Sequence, residues 1–325
     1  MMALLAPLAF NHYLSRSSNL NEVTFMSALT RRIFLRNSAL GASALAFTPS
    51  MLAVAKDDPN RFQIGIQEYT FHRWLGKKLT HLDYPGFVKE KLGITHVEYW
   101  NRPFNGKHTD KAFMAELVKR TTGEGIKNVL ILVDAKNQLD AKDEAQRLRA
   151  VEEHKSWIDC AAQLGCDAIR VNCRSGGDRD ENIKQAGHGV GALCDYAKDT
   201  SVKVVIEPHG GNSQDPVWLL AAMKELDRPN AGILPDFNNF GKYDRYDGVK
   251  RSLPFAPAVC AKALKFDEQG NETHTDYFRM LKIVYESDYS GVISIEFEGR
   301  GIDPVEGSRL TKTLIEKALK AAAAG

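Results

Sequence analysis

Short apolar runs alternate along most of the chain with longer stretches whose apolar residues recur at helical intervals. The runs are FQIGIQEY from Phe62, THVEYW from Thr95, KNVLILVD from Lys127 and AIRVNC from Ala168. They continue with VKVVIEPH from Val202, AGILPDF from Ala231, AVCAKALKF from Ala258 and GVISIEFEG from Gly291. Such nearly continuous apolar runs suit parallel strands buried on both faces. Between them, DYPGFVKEKLG, DKAFMAELVKRTTGEG, AVEEHKSWIDCAAQLG and DYFRMLKIVYESDYSG carry helical spacing, and several close on glycine before the next strand. Eight strand–helix units with no second composition regime predict a single-domain (β/α)8 TIM barrel. A doubly wound sheet would instead carry a glycine-rich phosphate turn after its first strand, and QEYTFHRW has none.

A barrel of this kind holds its active site at the C-terminal ends of its strands. Strand two brings Glu98 there, with Trp100 two residues on, and strand four brings Arg170 and Asn172. Strand five ends in Glu207 and then His209, strand six in Asp236, and strand eight in Glu296 and Glu298. Strand seven holds a charge in its middle. Cys260, Lys262, Leu264 and Phe266 share one face by the two-residue period. Glu207 and Glu296 stand out most, because an unpaired carboxylate within an apolar strand is costly. Asp236 reads as a metal ligand or as a turn residue, and Glu98 as a substrate contact or a rim hydrogen-bonder. Arg170 reads as a substrate contact or as an ion-pair partner of Glu207 or Glu98. Glu298 reads as a loop hydrogen-bonder. Tyr69, Trp100 and Phe237 are aromatics near the mouth that could stack on a substrate or pack at the rim. Three acids converging at one mouth need a cation, and a divalent metal with oxygen ligands supplies one economically.

Composition narrows the partners. Net charge is +2, without a basic stripe interleaved with aromatics, which argues against nucleic acid. The five cysteines are an odd number without a CxxC pair, so neither a disulfide framework nor a structural zinc site is expected.

The front of the chain is different in kind. TRRIFLRNSALGASALAFTPSMLAVA, from Thr30, has a basic start, a short apolar stretch and Ala53-Val54-Ala55. This is the layout of an export signal with an A-x-A cleavage site, and Arg31-Arg32 resembles the twin-arginine type. The apolar stretch is shorter than the ~20 residues of a membrane span. Residues 1–55 are therefore expected to be an extension plus signal, with Met26 as a second candidate start. Residues 56–325 are expected to form the barrel, exported to the periplasm or beyond.

The run VVIEPHGG, LPDFNNFGKYDRYDGV and AKALKFDEQGNETHTDYFRMLKIVYESDYSGVISIEFEG, with HVEYW and HKSWIDCAAQLGCDAIRVN before it, resembles the sugar phosphate isomerase/epimerase family with its xylose isomerase-like barrel. The resemblance implies one metal ligand on each of strands five to eight: Glu207, Asp236, the strand-seven position and Glu296. It also implies that Glu207 and Glu296 act as an acid–base pair moving a proton next to a sugar carbonyl. The metal would be Mn2+ or Mg2+, with Zn2+ or Co2+ as alternatives.

Strand seven departs from that pattern. Where metal-dependent members carry histidine, this chain has Cys260-Ala261-Lys262. Three readings follow. His209 supplies the missing nitrogen while Lys262 polarises the substrate oxygen, which is the working expectation. Lys262 replaces the metal outright, or Lys262 forms a Schiff base with a keto sugar. The expected function is a sugar isomerase or epimerase acting on a small-molecule sugar, with His209, Arg170, Asn172 and Glu98 orienting it and no stable membrane insertion. A lyase acting on a keto-glycoside and a non-catalytic sugar-binding barrel are the alternatives. Homo-oligomerisation stays open.

Overall fold

The computed structural model describes Asp58 and residues 61–325. The expected signal and the extension before it lie outside the described residues. Every apolar run named above contains a strand. The first four strand–helix units are β1 (Phe62–Gln67) and α1 (Tyr84–Leu92), β2 (His96–Trp100) and α2 (Lys111–Gly123), β3 (Lys127–Leu132) and α3 (Glu144–Leu164), and β4 (Ala168–Asn172) and α4 (Arg179–Ala197). Then come β5 (Lys203–Glu207) and α5 (Pro216–Leu226), β6 (Ala231–Ile233) and α6 (Arg245–Ser252), β7 (Ala258–Ala263) and α7 (Tyr277–Glu286), and β8 (Gly291–Phe297) and α8 (Pro304–Ala323).

All strand pairs are parallel, in the order β6-β5-β4-β3-β2-β1-β8-β7. The remaining gap, between β6 and β7, is closed just beyond β6. Cys260 N donates to Pro235 O at 2.8 Å, and Phe237 N donates to Cys260 O at 3.0 Å. Strand six is thus shorter than its sequence run. Pro235 has no N–H to extend the ladder, and Asp236 joins the sheet as a bridge residue rather than as part of a strand. Strand seven is also shorter, because the chain leaves the sheet after Ala263. Leu264 and Phe266 therefore do not continue the face of Cys260 and Lys262.

Each helix from α2 to α8 begins after an aspartate whose carboxylate accepts from backbone N–H groups of the first turn. These caps satisfy donors that the helix itself cannot pair. Gly93 and Gly165 end α1 and α3 in the left-handed conformation, as the glycine stops predict. Packing forms two layers. A large core lies between strands and helices, and a smaller one inside the barrel joins Leu130, Leu132, Val205, Leu234, Cys260 and Val292. All five cysteines are buried and free. No helix among the described residues is long and apolar enough to cross a membrane.

Loops above β4 and β5 press together at Gly211. It has φ +57°, and a Cβ there would fall 2.5 Å from the Arg174 carbonyl oxygen. Gly211→Ala is expected to lower stability by about 1–3 kcal/mol through strain and overpacking, read as a lower urea midpoint.

Candidate functional site

The charges at the strand ends sort into two clusters. The first surrounds Lys262. Strands β7 and β8 pair with Lys262 opposite Glu296, so both side chains leave the same face. The Lys262 ammonium stands 2.9 Å from Glu296 Oε2, 2.6 Å from Glu298 Oε1 and 3.6 Å from Asp236 Oδ2. Tyr277 on α7 donates to the Lys262 carbonyl at 3.0 Å and fixes its backbone. Only 5% of the Lys262 side chain is exposed. Burial works against its charge, but Glu296, Asp236 and Glu298 outweigh burial and hold the ammonium well above the ordinary lysine value.

Asp236 serves its turn and the cluster together. Its Oδ1 accepts from the N–H groups of Asn238 and Asn239 at 2.6 and 2.9 Å, as an Asx turn does. Burial raises its carboxyl to about 7, with Lys262 opposing and Glu207 and Glu296 adding to the rise. Asp236 is the member of the cluster able to hold a proton near neutrality.

The second cluster is built on Arg170. Its Nε lies 2.8 Å from Glu207 Oε2, and its Nη1 donates to Asp134 Oδ1 at 2.9 Å. Glu207 Oε1 accepts from Asn239 Nδ2 at 3.1 Å, which links this cluster to the Asp236 turn. Asp134 was not among the sequence candidates, yet three of them, Arg170, Asn172 and Trp100, bond to it. Asn172 Nδ2 donates to its Oδ1 at 2.9 Å, and the Trp100 indole donates to its Oδ2 at 3.0 Å. Although burial acts to raise it, the charges of Arg170 and Arg174 and these hydrogen bonds hold the Asp134 carboxyl well below the usual range. The signal was present in the sequence. Leu130, Leu132 and Asp134 follow the same two-residue alternation that selected the other strand ends.

His209 belongs to this second group. Its Nδ1 accepts from the Arg174 guanidinium and lies 3.2 Å from Asn172 Oδ1. Burial and the charges of Arg170, Arg174 and Lys262 lower its pKa to about 3, so the imidazole is neutral.

Glu98 sits one side-chain layer below the mouth, fully buried, where the Ser294 hydroxyl donates to its Oε1. A register shift in the β2–β3 pairing sets it opposite Leu130. Burial, with smaller contributions from Glu296 and Glu207, raises its carboxyl to about 8. Trp100 stays at the rim, edge-on to Tyr69 at 5.0 Å. Phe237 does not, being fully buried against Tyr277, which removes it from the candidates for sugar stacking.

The four residues expected to share a metal are therefore divided. Glu207 and His209 lie with the arginines, and Asp236 and Glu296 lie with Lys262. Asp236, Cys260 and Glu296 do offer ligand atoms within 4.8 Å of one another, a spacing that suits an ion. The same two carboxylates face the Lys262 ammonium, however. A divalent ion and a buried ammonium do not fit together on this donor set, since each would repel the other at contact distance.

Residues 88–321 match the model of a family described as the xylose isomerase-like TIM barrel. Among solved structures, the 3-keto-D-glucoside 4-epimerase of E. coli is similar, with a TM-score of 0.64 at 15% identity over 79% of this chain and 99% of that one. L-ribulose 3-epimerase is similar with a TM-score of 0.67 at 15% identity, over 80% and 95%. The IolI protein, solved with a zinc atom bound, has a TM-score of 0.66 at 15% identity over 80% and 99%. No curated protein matches the chain.

The buried Glu98 has a measurable signature. Its ordinary value is 4.5, and between there and about 8 the folded protein keeps a proton that the unfolded chain has released. Stability should therefore fall as pH rises through that window. Glu98→Gln, which cannot ionise, should make the decline in urea midpoint from pH 5 to pH 8.5 distinctly shallower. An unchanged slope would mean that Glu98 is ionised in the fold.

Proposed function

The chain belongs to the xylose isomerase-like TIM barrel family, and on that premise we propose that it is a sugar isomerase or epimerase moving a proton next to a carbonyl. One observation carries the reading. Glu207 on β5 and Glu296 on β8 are buried carboxylates at one barrel mouth, and each is held by its own cation, Arg170 and Lys262. Buried carboxylates paired with cations at a strand-end site are suited to proton transfer as general bases. The similar structures named as sugar epimerases support the substrate class.

The chemistry assigns one carboxylate to each side of the transfer. Glu207 or Glu296 accepts the proton from the carbon beside the carbonyl. The C–H electron pair forms the C=C bond of an enediolate, and the carbonyl π pair moves onto oxygen. Lys262 stabilises the oxyanion that develops. The other carboxylate, having gained a proton from solvent or a hydroxyl, returns it to the opposite face or to the neighbouring carbon. Asn172 and the neutral His209 orient hydroxyl groups by hydrogen bonding, and Trp100 with Tyr69 offers an apolar wall to the ring. Glu98, a layer deeper, supports the floor rather than the substrate.

Elimination from a keto-glycoside is a second reading, and Asp236 favours it. A carboxyl that holds its proton near pH 7 is equipped to protonate a leaving group as the carbon–oxygen bond breaks. The signal-like segment over residues 30–55 supports action outside the cytoplasm, on a free sugar rather than a phosphorylated one.

Incubation with keto-hexoses, ketopentoses and 3-keto-glucosides in D2O tests the reading by NMR. Deuterium is expected at the carbon next to the carbonyl of an accepted sugar. Glu207→Gln and Glu296→Gln should each slow its appearance by about 10²–10⁴-fold. Binding of sugars without exchange or elimination in the wild type would leave a sugar-binding barrel instead.

A further inference from the structure

We propose that Lys262 is the built-in cation of this site, standing where a divalent ion would otherwise be held and working without one. Its role toward the substrate rests on the proton-transfer reading above. Its exclusion of metal does not. The argument is geometric. Lys262 has three N–H donors. One is committed by a hydrogen bond to Glu298 at 2.6 Å, and Glu296 stands at 2.9 Å as an ion-pair partner. Asp236 lies at 3.6 Å, beyond hydrogen-bond length, which leaves donor capacity for a substrate oxygen.

Some acceptors are engaged in turn: Asp236 Oδ1 takes two backbone N–H groups, Glu207 Oε1 accepts from Asn239, and Glu296 Oε2 also faces the Cys260 thiol at 3.4 Å. Asp236 Oδ2 and Glu207 Oε2 accept no hydrogen bond, but each lies beside a cation, Lys262 at 3.6 Å and Arg170 at 2.8 Å, which a divalent ion bound there would repel. The Schiff-base reading meets the same obstacle. A lysine attacks a carbonyl only as the neutral amine, and this one is surrounded by three carboxylates. Lys262 thus acts as an electrostatic group, stabilising a developing oxyanion through N–H···O bonds without changing its own covalent state.

The purified protein, dialysed against EDTA, is the material for the test, with Mg2+, Mn2+ and Zn2+ as probes. The wild type should contain substoichiometric metal by elemental analysis. It should show no rise in melting temperature with any of the three ions and keep its full rate of deuterium exchange in the chelator. Lys262→His replaces the ammonium with a neutral nitrogen ligand beside Asp236, Cys260 and Glu296. That variant should bind one Mn2+ or Zn2+ per chain, with a melting-temperature rise that EDTA reverses. Lys262→Arg, which keeps the charge, should fold and stay metal-free, so the test stands even where the histidine variant misfolds.

One divalent ion per wild-type chain, lost in Glu296→Gln, would overturn the proposal, as would a folded Lys262→His that gains no metal. These outcomes are separable from those of the preceding section. A metal-bearing wild type that exchanges deuterium sinks only this inference, whereas a metal-free wild type that exchanges none sinks only the proton transfer.

Discussion

A buried carboxylate requires a proton or a cation, and the mouth of this barrel is organised by that requirement. Six acids lie on or just below it: Glu98, Asp134, Glu207, Asp236, Glu296 and Glu298. Two buried cations serve most of them. Arg170 spans Asp134 and Glu207, and Lys262 spans Asp236, Glu296 and Glu298. Glu98 and Asp236 meet the requirement through raised affinity for a proton. The result is graded. Carboxylates paired with cations stand next to Glu98 and Asp236, which are able to carry a proton near neutral pH. Such a separation of roles among like residues is what acid–base chemistry needs.

Arginine and lysine divide the work by shape. The guanidinium is a planar fork that reaches two acids on different strands at once. The ammonium is a compact point charge with donors in three directions, suited to the narrower space between β7, β8 and the Asp236 turn. The two therefore differ in hydrogen-bond geometry even where the net charge is the same.

The strands were legible because parallel strands buried on both faces leave nearly unbroken apolar runs, and each of the eight runs contains one. The lengths of β6 and β7 were not. Pro235 cuts the first ladder, and the turn of the chain after Ala263 cuts the second, so apolar character outlasts the strand in both. Strand-end alternation led to Glu207, Asp236, Lys262 and Glu296, and it extends equally to Asp134. The pairing of acids with cations was legible only in part: Arg170 with Glu207 stood among the readings, but the division into two clusters did not. It depends on how the strands stagger around the barrel, and that stagger set Glu207 beside Arg170 instead of beside Lys262. His209 illustrates the same limit. Two residues past Glu207, it follows the loop toward Arg174 and Asn172 rather than the metal-spaced trio.

Among the described residues, two backbone hydrogen bonds join the β6 segment to β7, and both involve Cys260. Asp236 lies between their other ends, Pro235 and Phe237, so the closure of the sheet and the approach of Asp236 to Lys262 are a single geometric event. Any opening of this seam would part the acid from the ammonium as well. The weakest join in the wall is in this way tied to the charge that the site is built around.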